Sequence, residues 1–287
     1  MHDRAVARRG PRAFRRWWTG WLELLAAVGD HFTFYVRAVA QLPHAVVSYG
    51  RHVLRLIAEI SFGSASLFAG GGTIGVVFAM SAVSSTQVGL EGYRGLDLLG
   101  LTPLSGLVSA MINTRELAPL VASIALAAKV GTGFTAQLGA MRISDEVDAL
   151  ESMAVRSLPF LVSTRMAAAF ISVVPLYVVG LSASYVATRV AVVTGEGQSG
   201  GTYDFYFQLM LSGADVAYSL VKAVLFAMVV TLVHCYYGYY ATGGPEGVGK
   251  AAGRALRTSI VSITMFDLLL TLAFWGLSPS LPVLGVQ

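Results

Sequence analysis

Charge is what this chain has least of. Its 20 Lys and Arg and 16 Asp and Glu make up 13% of 287 residues, against 55% apolar residues. Water-soluble domains carry about 25% charged residues, so a globular protein in water is excluded and a membrane class remains. Cysteine is nearly missing as well. Cys235 stands alone, which excludes an internal disulfide, and in its apolar stretch a free thiol behaves as a small hydrophobe. The five histidines, His2, His31, His44, His52 and His234, show no metal-ligand pairing. No H-E-x-x-H, nucleophile elbow or cysteine cluster occurs. An intramembrane enzyme has little to build on, no metal or cofactor of the chain's own is expected, and nucleic acid is not an expected partner.

The scarce positive charges are unevenly placed. Nine of the 20 precede residue 56, four fall at Lys129, Arg142, Arg156 and Arg165, and three at Lys250, Arg254 and Arg257. Basic residues stay on the cytoplasmic side during insertion, so these three clusters are expected on one face, with a cytoplasmic N-terminus. Arg pairs at 8–9 and 15–16 precede an apolar run, but Glu23 interrupts it and no small-residue cleavage site follows. The run reads as mature sequence rather than an export signal.

Hydropathy divides the chain into a cytoplasmic N-terminal segment, residues 1–55, and a membrane domain, residues 56–287. Within the first, residues 17–32 place Trp18, Trp21, Leu22, Leu25, Gly29 and Phe32 at helical spacing. They fit either an interfacial amphipathic helix or a soluble helix packed on a neighbour. Five spans are expected in the second, at about 56–80, 102–128, 160–193, 216–240 and 259–277. Polar, Gly-containing residues 81–100 read as the first outer connector, and Gly-rich basic residues 241–257 as a cytoplasmic loop. An odd number of crossings places the C-terminus outside. The fold class is an all-α membrane protein.

Two motifs mislead. Gly70, Gly72 and Gly75 match G-x-G-x-x-G, yet a dinucleotide fingerprint needs a preceding strand, and these lie in an apolar run. Close helix packing through Gly71 and Gly75, four apart on one face, is the better reading. Gly244 to Lys250 has the spacing of a phosphate-binding loop, but Ala251 stands where the Mg²⁺-binding hydroxyl belongs. The chain is therefore not expected to be its own ATPase.

Two stretches carry chemistry. Ser144 is a candidate N-cap for a short amphipathic helix, with Asp145 and Glu146 at the positive end of its dipole and Pro159 stopping it. Val147, Leu150, Met153 and Ala154 would form its apolar face, while Asp145, Asp148 and Glu151 would be solvent-directed acids. It suits either docking of a soluble partner or a connector stabilising its own loop. The second stretch is Asn113-Thr114-Arg115-Glu116-Leu117-Ala118-Pro119 within an apolar span. Charges there are costly and should face the bundle interior or an aqueous cavity, although neighbours on a regular helix point about 100° apart. Arg115 suits an anionic lipid headgroup or carboxylate; equally, neighbouring helices and water could satisfy both charges.

The run from Gly131 through Gln137, Gly139, Met141 and Asp148 to Met153 resembles the signature of the MlaE/YrbE family of ABC transporter permeases. Arg115 to Pro119, Thr164-Arg165, Cys235 to Gly238 and Gly247-Val248-Gly249 match further blocks, so the resemblance spans about residues 52–275. The wording at Met141 to Ser144 and His234 to Tyr239 is most similar to B-type YrbE permeases of actinobacterial, including mycobacterial, Mce systems. Lys129 departs from the usual Arg, Gln137 from Glu, Asp145-Glu146 from Glu-Gln or Glu-Glu, and Thr164 from Pro.

The resemblance implies a permease, not an enzyme, multi-pass in the cell inner membrane. Its expected partners are a second, A-type YrbE permease forming a heterodimer, a cytoplasmic ABC ATPase dimer holding ATP and Mg²⁺, Mce proteins outside, and a lipid substrate such as a fatty acid or sterol. It makes the segment between the second and third spans a coupling helix, with Asp145, Glu146, Val147, Asp148, Ala149, Leu150, Glu151 and Met153 against the ATPase. Arg115 and Glu116 would lie on the lipid path. From another class comes an intramembrane lipid-modifying enzyme, or a proton-coupled secondary transporter using Glu116.

Overall fold

The computed structural model describes residues 29–62 and 72–276, and among them every regular element is helical. Three short helices come first: α1 (29–40), α2 (Leu42–Ser48) and α3 (Gly50–Phe62). Five long apolar helices follow: α4 (Gly72–Asp97), α5 (Thr102–Ile143), α7 (Pro159–Gly195), α9 (Gly213–Tyr239) and α10 (Gly244–Trp275). Each is long and apolar enough to cross a membrane. Between them lie α6 (Glu146–Ser152) and α8 (Gly200–Met210).

The number of candidate spans is as expected, but the first lies elsewhere. The expected span at 56–80 joins two elements: Leu56 to Phe62 belong to α3, and the long helix is Gly72–Asp97. Residues 81–97 are therefore helix, not an outer connector. Their small polar residues do not mark a loop; Ser81, Ser85 and Gly89 are the buried face of α4, packed on α7. A Cβ added to Gly180 on α7 would lie 3.0 Å from Ser81 Oγ and Val77 Cγ1, so small residues here set the helix separation. Gly75 is half-buried on α4; Gly71 lies outside the described residues, as do residues 17–28 of the expected interfacial helix. The expected boundary between residues 55 and 56 falls within α3.

The other differences are extensions. The second candidate span runs on to Ile143, and the fifth begins at Gly244, so most of the basic stretch 241–257 is helical. Pro245 opens α10 in its first turn, and Glu246 holds Lys250 at 2.6 Å one turn on. The look-alike phosphate loop is thus the first turns of a continuous helix rather than a loop.

The core lies where α5, α7 and α9 meet, filled by Leu126, Leu138, Met166, Leu176 and Phe226, all buried. At Gly238 on α9 an added Cβ would sit 2.9 Å from Leu138 Cβ and 3.0 Å from the Thr135 backbone. Outward faces stay apolar, as with Val261, Met265, Phe266, Leu268 and Leu269 on α10. That pattern suits hydrocarbon rather than water.

Candidate functional site

The site begins with a defect in α5. Asn113–Leu117 form a π-helical turn, in which the Ala118 N–H donates to Asn113 O rather than to Thr114 O. Pro119 follows, and having no N–H it leaves the Arg115 carbonyl without its helical donor. Both released carbonyls are taken by α9: Ser219 Oγ donates to Thr114 O at 2.5 Å, and Lys222 Nζ to Arg115 O at 2.8 Å. On the α7 side, Asn113 Nδ2 donates to Thr188 Oγ1 at 2.8 Å, and the Thr114 hydroxyl lies 2.6 Å from Tyr185 Oη. The wider turn changes the angular step between neighbours, so consecutive residues Arg115 and Glu116 both reach partners.

A network of five charges results. Arg115 Nη2 is 3.2 Å from Asp215 Oδ2, and its guanidinium lies 5.1 Å from the centre of the Trp275 ring. Trp275 Nε1 donates to Asp215 Oδ1 at 2.5 Å. Lys222, with its side chain 0% exposed, lies 2.7 Å from Asp267 Oδ1 and 3.2 Å from Glu116 Oε2. Thr271 accepts from Lys222 Nζ at 2.8 Å and donates to Glu116 Oε1 at 2.9 Å. Two cations thus face three carboxylates drawn from α5, α9 and α10. Glu116, 33% exposed, is the most open of the five.

Arg115 and Glu116 also line a cavity of about 200 Å³, together with Met111, Ile112, Thr271 and Trp275. Its walls are mainly apolar and its floor is charged, a combination that accepts an amphiphile. The structure therefore joins the two readings of these charges: neighbouring helices satisfy them, and they border a cavity. Lys222, Asp215 and Asp267 complete the site and were not singled out from sequence. Lys222 and Asp267 are each a lone charge in an apolar run, the same signal that marked Arg115 and Glu116.

The second candidate stretch folds as α6, preceded by Asp145 in a left-handed conformation (φ 58°). Its faces differ from the expected ones. Val147 is buried and Leu150 half-buried, but Met153, 65% exposed, and Ala154 point outward. Three acids are engaged within the chain. Arg142 Nη1 donates to Asp148 Oδ1 at 2.6 Å, and Glu151 Oε1 accepts from Ser157 Oγ at 2.5 Å and Tyr239 Oη at 3.5 Å. Ser144 does not act as the N-cap; its hydroxyl donates back to Ala140 O at 3.0 Å and to Glu146 Oε1 at 3.0 Å. The exposed surface of the segment comprises Asp145, Glu146, Asp148, Ala149, Glu151, Ser152, Met153 and Ala154.

A third polar group sits near Lys129. Gln137, where a carboxylate is common in the resembling family, bridges two charges: its Nε2 donates to Glu59 Oε1 at 2.9 Å, and its Oε1 accepts from Arg165 Nη2 at 3.1 Å. An amide serves both partners here, which a carboxylate facing Glu59 would not.

Comparison with known proteins agrees with this architecture. The family model described as Permease MlaE matches residues 62–273. The chain is 30% identical over 209 residues to a probable ABC transporter permease protein of Rickettsia bellii, covering 73% of this chain and 81% of that one. It is 28% identical to a probable ABC transporter permease protein of Synechocystis, covering 71% and 74%. It is 25% identical to the chloroplastic protein TRIGALACTOSYLDIACYLGLYCEROL 1 of Arabidopsis thaliana, covering 71% and 58%.

Proposed function

Because the chain belongs to the MlaE permease family, a family of multi-pass membrane permeases and not of enzymes, we propose that it is the permease subunit of an ATP-driven lipid transporter in the cell inner membrane. ATP and Mg²⁺ are held by a separate cytoplasmic ATPase dimer. The observation that carries this reading is α6, a short helix between the second and third candidate spans whose exposed residues include Asp145, Glu146, Ala149 and Met153. These residues meet the ATPase. In the finer form of the proposal, the chain is a B-type YrbE permease of an Mce system, paired with an A-type permease, with Mce proteins outside and the N-terminus cytoplasmic.

In this mechanism, closure of the ATPase dimer presses on α6. Its fastenings, Arg142 on α5, Ser157 at the start of the third candidate span and Tyr239 on α9, pass the movement into the bundle. Helix packing around Gly75 and the cavity at Arg115 and Glu116 then changes, moving a hydrophobic lipid such as a fatty acid or sterol. Charge reversal Asp145→Lys with Glu146→Lys should release the ATPase from an inserted permease. Undiminished co-purification of the ATPase would sink the assignment.

Arg115 contacts the polar end of the lipid in passage. Its pairing with Asp215 requires a matched control: Arg115→Ala should lower transport while the complex assembles, and Arg115→Ala with Asp215→Asn should assemble equally well. Full transport in either variant would remove Arg115 from the path. A second reading is favoured by the exposure of Glu116 beside Lys222 and Asp267: a proton carrier in a secondary transporter. Lipid movement by the purified chain under a pH gradient without ATP would establish it in place of the first.

A further inference from the structure

At the other end of the bundle from the charge network, where α5 ends and α7 begins, two cavities adjoin. One, of about 460 Å³, is lined by Arg37, Gln41, Glu151, Arg156 and Tyr239 among others. The other, of about 540 Å³, is lined by Asp30, Thr33, Phe34, Arg37 and Tyr236 among others. Arg37, Leu158 and Tyr240 border both.

The linings have unused polar capacity. Arg37 is exposed and forms no ion pair among the described residues. Arg156 uses Nη2 for His44 Nε2 at 3.0 Å and likewise has no carboxylate partner among the described residues. The acid in the first cavity, Glu151, has one oxygen committed to Ser157 and Tyr239. Gln41, one turn beyond Arg37 on the same side of the chain, keeps a buried Oε1 with no donor. The second cavity offers Asp30 beside the Phe34 and Tyr236 rings, a carboxylate with aromatic faces that suits an ammonium group. Elsewhere on α1, Phe32, Val36 and Val39 are exposed at helical spacing, an apolar strip fitted to acyl chains at the membrane boundary.

We propose that these adjoining cavities hold the headgroup of a zwitterionic phospholipid, bound separately from the transported lipid. The phosphate lies between Arg37 and Arg156, which supply charge-assisted hydrogen bonds. The ammonium reaches the Asp30 side or donates to Gln41 Oε1, and the acyl chains run beside Phe32 and Val36. This site stands apart from the transport reading, since it needs neither the ATPase nor the cavity at Arg115.

The test is native mass spectrometry of the complex as purified from membranes, delipidated in detergent and titrated with short-chain phosphatidylethanolamine. Wild type should retain one additional lipid per permease chain. Arg37→Ala with Arg156→Ala should weaken retention about thirtyfold, the loss expected for two basic side chains facing a phosphate. Arg37→Lys with Arg156→Lys keeps the charges and should retain most binding, which separates loss of the site from loss of the fold. Unchanged retention in the double Ala variant would overturn the proposal. Competition by inorganic phosphate as strong as by the lipid would make this a free-anion site and overturn it too, and equal retention of phosphatidylglycerol would overturn the ammonium assignment.

Discussion

Two of the polar regions of this bundle treat charge in opposite ways. Around Lys222, five charged side chains from α5, α9 and α10 are largely withdrawn from solvent and hold one another at 2.7–3.2 Å. Around α6, Arg142 and Asp148 meet at 2.6 Å with side chains 37% and 60% exposed. Distance alone would rank the α6 pair first. Burial reverses the ranking: removing one partner of a buried pair strands a charge at a cost of about 3–5 kcal/mol, whereas an exposed pair is worth about 0–1 kcal/mol. The network therefore fixes where three helices stand, while the pairs at α6 can be exchanged for contacts with another protein at little cost.

The largest expected break in this contrast is Lys222→Met, which leaves Glu116 and Asp267 facing each other without a cation. It should lower stability by about 3–5 kcal/mol, read as loss of monodisperse protein in detergent. Adding Asp267→Asn should recover part of that loss, and no recovery would mean the two do not act as a pair. Next is Gly238→Val, which forces α9 away from Leu138 and Thr135. Overpacking of this kind costs about 1–3 kcal/mol, checked by thermal unfolding of the detergent-solubilised chain.

A smaller effect tests the fastening of α6. Tyr239→Phe deletes the hydroxyl 2.7 Å from Ser157 Oγ and should cost about 1 kcal/mol while lowering transport per ATP consumed. Unchanged coupling would show that α6 does not act through α9. Arg142→Ala should change stability by less than about 1 kcal/mol, and a larger loss in the same unfolding assay would erase the distinction between the two regions.

The smallest effect concerns Asp204, whose carboxyl is held below the usual range by two hydrogen bonds from the Arg189 guanidinium, at 2.8 and 2.9 Å. A depressed folded value means that the pair stabilises above the ordinary carboxylate range and loses that contribution as pH falls through the lowered one. The thermal stability difference between wild type and Asp204→Asn should therefore be small at neutral pH and vanish once the pH has fallen well below the ordinary carboxylate range.

Hydropathy made five long helices legible because each needs some twenty apolar residues whatever its neighbours are. It misplaced the first because two signals were ambiguous. The apolar side of α3 reads like the start of a span, and the small polar residues of α4 read like a connector until α7 lies against them. In the charge network, Arg115, Glu116 and Pro119 were legible as a disturbance in one apolar run. Their partners were not, since pairing Glu116 with Lys222 and Lys222 with Asp267 depends on the relative height of three helices, which no local pattern encodes. For α6, sequence periodicity yielded the helix but not its rotation. The packing of Val147 and Leu150 against the bundle turned Met153 outward, and Ser157 and Tyr239 engaged Glu151.

The irregular turn before Pro119 also limits how the bundle can move. Along most of a helix the carbonyls are closed on their own chain, and two helices can slide past each other by trading side-chain contacts. At Thr114 and Arg115 the main chain of α5 is completed by side chains of α9, so sliding there would expose two bare carbonyls to hydrocarbon. Those two helices must travel as one body at this level, and any opening of the bundle has to occur along seams that carry no such stitch.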